Sequence, residues 1–132
     1  MFSFFKKKPK QVTKPLQPIE LSQAEISTIQ AQVTEQKKII KEIAVDDLDQ
    51  LAKAYEVLGV LEAKIAIDES INSLEKSLAY RQSIGEGYKV LMSLYNQKRS
   101  LAAHQGDGDG IDKWMSKMDE LRQIARNKTI SS

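Results

Sequence analysis

An all-α fold of about five helices is predicted for this chain by three features of its sequence. Apolar residues recur at three- and four-residue spacing from Ile26 onward. All three prolines (Pro9, Pro15, Pro18) fall at the start, so no residue after Pro18 obligatorily breaks a helix. No segment shows the β-branched alternation of a half-buried strand.

The elements follow in order. Residues 1–18 read as a basic, phenylalanine-headed linker, because KKKPKQVTKPLQP has charge and proline but no apolar period. Residues 19–132 read as the folded domain. Ser22 and Glu25 have the spacing of a capping box, in which each side chain satisfies the other residue's free backbone N–H. The stripe Ile26, Ile29, Val33, Ile40 and Ile43 then places helix 1 over about 23–44, interrupted at Gln36 and Lys37. Asp46 with Asp49 is expected to cap a second helix carrying Leu48, Leu51, Tyr55, Leu58, Leu61 and Ile65. Asp68 is expected to cap a third, with Ile71, Leu74, Leu78 and Arg81 on one side and Gly85 as its stop. A fourth runs from about Glu86 through Tyr88, Leu91, Leu94 and Tyr95 towards Leu101. The run Gly106-Asp107-Gly108-Asp109-Gly110 reads as a loop, since each helical glycine costs up to ~1 kcal/mol relative to alanine. Asp109 and Asp112 then complement the dipole of a fifth helix bearing Ile111, Trp114, Met115, Met118, Leu121 and Ala125.

Composition removes several function classes. The 132 residues hold no cysteine, which leaves no disulfide, thiolate nucleophile or thiolate metal site and suits a reducing compartment such as the cytoplasm. A single histidine, His104, rules out a metal centre or relay built on several imidazoles of one chain, and its simplest place is a helix end. Asp107-Gly108-Asp109-Gly110 resembles the start of a calcium loop. The fifth, sixth and twelfth positions, however, hold Ile111, Asp112 and Met118 in place of an oxygen ligand, glycine and glutamate. No phosphate-cradling glycine loop, GxSxG or HExxH occurs. The expectation is therefore no catalytic residue, no metal and no cofactor. Residues 1–18 contain five of the 20 basic residues and none of the 18 acids. That leaves 15 cations against 18 anions, net −3, in residues 19–132. A body of that charge repels phosphate, so no nucleic-acid partner is expected.

The chain also repeats. Ala54-Tyr55-Glu56-Val57-Leu58-Gly59 aligns with Gly87-Tyr88-Lys89-Val90-Leu91-Met92 at a spacing of 33 residues, and Leu61 falls opposite Leu94. A helix pair repeated at this interval buries its apolar face against the next pair. The segment AYEVLGVLEAKIAIDESINSLEKSLAYRQSIG resembles a tetratricopeptide repeat through Tyr55, Leu58 and Gly59 on its first helix. On the second helix the resemblance continues through Ser70, Ile71, Leu74, Ser77 and Leu78. Gly59, Ser70 and Ser77 would let the backbones approach while Leu58 and Leu74 fill the space between them. A second unit keeps Tyr88, Leu91 and Tyr95, then Met115, Met118 and Leu121, so the resemblance covers roughly residues 48–126. It implies antiparallel hairpins stacked as a short array, with a compact helical bundle as the alternative. Helix 1 or a second chain would supply a further packing layer, which leaves self-association open.

The resemblance further implies a surface made by the first helix of each pair, holding a peptide or helix of another protein. That surface would comprise Lys53, Glu56, Val60, Ala63 and Lys64, then Glu86, Lys89, Ser93, Asn96 and Gln97. Some relatives grip a C-terminal carboxylate with lysines and asparagines. Lys53, Lys89 and Asn96 match that in part, whereas Glu56 would repel such a ligand and Val60 offers no donor. Trp114, the only tryptophan, reads as core packing beside Met115 and Met118, with a partner hot spot as the second reading. At the N-terminus, Phe2, Phe4 and Phe5 precede Lys6, Lys7 and Lys8. Aromatics at a bilayer interface with lysines on anionic headgroups form a recognised binding mode, each lysine contributing ~1 kcal/mol. The whole predicts a non-catalytic adaptor, peripheral on an anionic membrane where that head engages. The alternative is a small immunity- or antitoxin-like protein blocking a partner stoichiometrically.

Overall fold

The computed structural model describes residues 20–131, and among them five helices and no strand are found. They are α1 (Gln23–Lys41), α2 (Leu48–Glu62), α3 (Ile67–Tyr80), α4 (Glu86–His104) and α5 (Gly108–Ser131). The all-α prediction with about five helices is met, and the element ends differ from it in instructive places.

At α1 the capping box forms as expected: the Glu25 backbone N–H donates to Ser22 Oγ at 3.1 Å and the Ser22 N–H donates to Glu25 Oε1 at 2.8 Å. Those bonds hold the Glu25 carboxyl below the usual glutamate range. The helix stops at Lys41 and not at residue 44. The chain then turns, with the Asp47 N–H bonded to the Ala44 carbonyl at 3.0 Å. That turn puts Asp47, rather than Asp46, at the N-cap of α2, where Oδ1 accepts from the Gln50 N–H at 3.2 Å. Asp68 likewise does not cap α3. Ala66 takes the N-cap, and the Asp68 carboxylate pairs with Lys98 of α4 at 2.7 Å. Gly85 does not end α3, which stops at Tyr80; it stands at the N-cap of α4.

The glycine-rich run is the largest departure. Only residues 105–107 separate α4 from α5. Gly106 adopts φ +70°, the left-handed conformation that favours glycine. Its N–H bonds to the Ala103 carbonyl, and the next N–H, of Asp107, bonds to the Ala102 carbonyl at 2.9 Å. This closes α4 with a Schellman motif. Asp107 then caps α5, its Oδ1 accepting from the Gly110 N–H at 2.9 Å, so Gly108 and Gly110 are helical rather than looped.

Packing follows chain order. α2 lies most extensively on α3, and α4 on α5; α1 rests on α2, α3 on α4, and α2 also touches α4. The core unites Ile71 and Leu74 of α3, Leu91, Leu94 and Tyr95 of α4, and Met118 and Leu121 of α5. The α2–α3 seam is close because small residues line it. A Cβ built on Gly59 would stand 2.5 Å from Leu74 Cδ2. Ser70 Oγ donates to the Gly59 carbonyl at 2.6 Å, and Ser77 Oγ to the Ala52 carbonyl at 2.7 Å. The close approach expected at Gly59, Ser70 and Ser77 is therefore present. α1 is also fixed within the chain: Gln36 Nε2 donates to the Ala54 carbonyl at 3.0 Å, and Ile29 is buried.

Candidate functional site

Among the open grooves of the described residues are two that each draw on three helices. The first, about 860 Å³, lies where the end of α2 and the start of α3 meet the C-terminal half of α4. Ile67 and Leu101 are partly exposed there, 38% and 51%, although both are large and apolar. Lys64 and Gln97 stand at its rim, and the Lys98–Asp68 ion pair ties α4 to α3 beside them. The second groove, about 330 Å³, runs between α1 and α3 over α2.

The predicted partner-binding residues divide by what the fold does with them. Lys64, just past the end of α2, and Gln97 of α4 are brought together in the first groove. Lys53 is exposed beside another hollow, about 390 Å³, shared with Glu56 and Arg81. Glu86, Lys89, Ser93 and Asn96 are exposed along α4, and Asn96 Oδ1 accepts from Arg99 Nε at 3.0 Å. Glu56 and Val60 turn inward. Val60 packs against the core, and Glu56 Oε2 accepts from the Gly87 N–H at 2.7 Å. Gly85 at the N-cap has no side chain to satisfy the first turn of α4, so this carboxylate from α2 does it. Gly87 is small for the same reason, since a Cβ there would come within 2.8 Å of Glu56 Oε2. Ala63 is half-buried. Phe2, Phe4, Phe5, Lys6, Lys7 and Lys8 lie outside the described residues. Among the described residues no helix is long and apolar enough to cross a membrane.

Further polar clusters occur that periodicity alone did not indicate. Tyr95, 4% exposed, donates its hydroxyl to Glu75 Oε2, which also takes Lys117 Nζ at 2.9 Å. Burial, then the bond to Glu75 and its charge, push the Tyr95 phenol far above the usual tyrosine range. Trp114 is half-buried with its ring 5.8 Å from that of Tyr95 and Lys113 Nζ 4.6 Å from its centroid. Packing is thus its main role, while Met115 beside it is exposed. Glu62 is 4% exposed and accepts from Ser73 Oγ at 2.6 Å. His104 ends α4 with Nδ1 2.9 Å from the Ser100 carbonyl oxygen.

No protein-family model, curated protein or solved structure matches this chain. The geometry alone therefore carries the functional reading.

Proposed function

We propose that this chain is a non-catalytic interaction module, a short tetratricopeptide-like array of helix hairpins that holds a peptide or helix of another protein. The observation that carries the reading is the first groove. Lys64 from the first hairpin and Gln97 from the second flank exposed Ile67 and Leu101. Apolar side chains exposed together in a concavity with polar groups at its rim have the composition of a recognition site. The order of packing supports the hairpin form, because α2 pairs with α3, α4 pairs with α5, and α2 meets α4. Neighbouring first helices in contact would give a partner one continuous surface to follow.

A photo-activated cross-linking residue at Gln97, compared with one at exposed Arg126 on α5, tests the site. One partner captured at Gln97 and lost on Leu101→Asp, with unchanged helical circular dichroism, is the expected result. Equal capture at both positions, or capture that survives Leu101→Asp, would remove the first groove from consideration.

The phenylalanine–lysine head adds a membrane attachment to this reading, supported by its composition alone. Flotation of the full chain with phosphatidylserine vesicles is expected, and loss of flotation with neutral vesicles or on Phe2→Ser/Phe4→Ser/Phe5→Ser. Binding that survives both changes would sink the attachment while leaving the groove reading intact.

A further inference from the structure

We infer that the first groove is filled, until a partner displaces it, by this chain's own residues 1–18, with Phe2, Phe4 and Phe5 against Ile67 and Leu101. The inference rests on the reading of that groove as a recognition site and names what occupies it at rest. The fold decides where the segment begins its path. Asp49 of α2 pairs with Arg81 just past α3 at 2.7 Å, and Gly59 near the end of α2 accepts from Ser70 near the start of α3 at 2.6 Å. Asp68 then meets Lys98, and Glu75 meets Tyr95, so α4 runs back along α3. Gln36 bonds to Ala54 across the α1–α2 turn, and Trp114 of α5 packs on Tyr95 across the short α4–α5 turn. Each helix is therefore antiparallel to the one before it. The starts of α1, α3 and α5 and the ends of α2 and α4 meet at one end of the domain. The first groove, lined by residues 63–69 and by Gln97, Lys98 and Leu101, opens at that end.

Residues 1–18 join α1 at that same end. α1 rests on α2 and α2 touches α4, which puts the axis of α1 within two interhelix steps, about 20 Å, of the α4 wall. The 15 residues from Phe5 to Glu20 extend to at most about 50 Å, so the phenylalanines can reach the groove. Tethering over this distance gives them an effective concentration on the order of millimolar, against which any partner in solution competes.

Charge selects this occupant over an arbitrary apolar segment. The first six residues of α1, α3 and α5, the last six of α2 and α4, the two turns between them and residues 20–22 hold eight acids and three cations. The rest of residues 19–132 holds ten acids and twelve cations, so the whole negative excess of the body is gathered where the groove opens. Backbone dipoles do not cancel it, since three helix N-termini and two C-termini there come to only about +0.5 of a charge. Residues 1–18 carry five lysines and no acid, the complement of that end. They also hold all three phenylalanines of the chain, and the groove offers Ile67 and Leu101 exposed to receive them. Its volume of about 860 Å³ falls within the ~300–1,000 Å³ of clefts that enclose most of a ligand. The rings cannot sit in a bilayer and in the groove at once, so the membrane attachment proposed above would also open the groove.

The chain has no cysteine, so a nitroxide carried by Ser3→Cys in the full-length protein reports on the head alone. Relative to the reduced label, the amide resonances of Lys64, Ile67, Gln97 and Leu101 are expected to lose the most intensity. The loss should persist on dilution, weaken at high salt, and vanish in Phe2→Ser/Phe4→Ser/Phe5→Ser. Leu101→Asp, with unchanged helical circular dichroism, should abolish it as well. Intensity lost only in the first turn of α1, loss that survives the phenylalanine substitutions, or loss in an isotope-labelled chain caused by a separate spin-labelled copy would each overturn the inference. Capture of a partner at Gln97 by a chain without this broadening would overturn it too, while the partner reading stands. Broadening with no partner captured would support the contact and remove the partner.

Discussion

Truncation of Leu74 to alanine is expected to destabilise the domain by about 3–5 kcal/mol. Leu74 is 1% exposed at the junction of α2, α3 and α4. The cost of such a cavity depends on whether the walls can close, and here they are held apart by hydrogen bonds. Ser70 and Ser77 fix α3 to the α2 carbonyls of Gly59 and Ala52, so the two backbones cannot slide into the space. For a domain of this size each kcal/mol lowers Tm by roughly 4 °C, which puts the shift near ~12–20 °C. Gly59 makes the prediction sharper. Gly59→Ala in the native background brings a Cβ to 2.5 Å from Leu74 Cδ2, and the overpacking, typically 1–3 kcal/mol, outweighs the ~1 kcal/mol gain in helix propensity. With Leu74 already truncated its Cγ and Cδ2 are gone and only the backbone nitrogen of residue 74, 3.2 Å from the added Cβ, still presses, so Gly59→Ala is expected to cost less than in the native background. Urea unfolding of the four chains measures the coupling. Additive losses would mean that α2 and α3 are not held at this seam.

What could be read from the sequence was what depends on spacing within one helix or one hairpin. The capping box at Ser22 and Glu25 spans only four residues, and the close approach at Gly59, Ser70 and Ser77 follows from the small residues by which one hairpin resembles a tetratricopeptide repeat. The errors arose where two local rules competed or where the partner is distant. Asp46 and Asp47 are equally good caps by type, and only the turn that bonds Asp47 to Ala44 chooses between them. The run from Gly106 to Gly110 reads as a loop if each glycine is charged its helical cost. In the fold one glycine closes α4, Asp107 opens α5, and the other two are carried inside α5. The resemblance assigns Glu56 to the partner surface position by position, but its bond partner, Gly87, is 31 residues away on α4. The second groove had only one trace in the sequence, the break in the helix 1 stripe at Gln36 and Lys37, because it forms where α1 and α3 each pack on α2.

Above about pH 10 the domain is expected to lose stability through Tyr95, at up to about 1.4 kcal/mol per pH unit. The sign follows from the direction of the shift. Burial first, then the hydrogen bond to Glu75 and its charge, favour the neutral phenol in the folded state and raise its pKa. A raised pKa means that the folded chain keeps this proton where the unfolded chain has released it. The contribution is therefore complete below the unfolded tyrosine value of about 10 and drains away as pH climbs towards the folded value. The residues facing the phenol, Glu75, Glu120, Lys117 and Trp114, are present in a Tyr95→Phe chain as well, so the difference between the two pH profiles isolates the one hydroxyl. Tyr95→Phe is expected to cost about 1 kcal/mol at neutral pH, because Glu75 loses one donor and keeps Lys117 at 2.9 Å. Its alkaline slope should be shallower, and the two stability curves should converge above pH 10 and then cross, because the loss through the phenol comes to exceed the initial difference. Parallel curves would mean that the phenol ionises as freely in the folded domain as in the unfolded chain, which its burial against Glu75 does not allow.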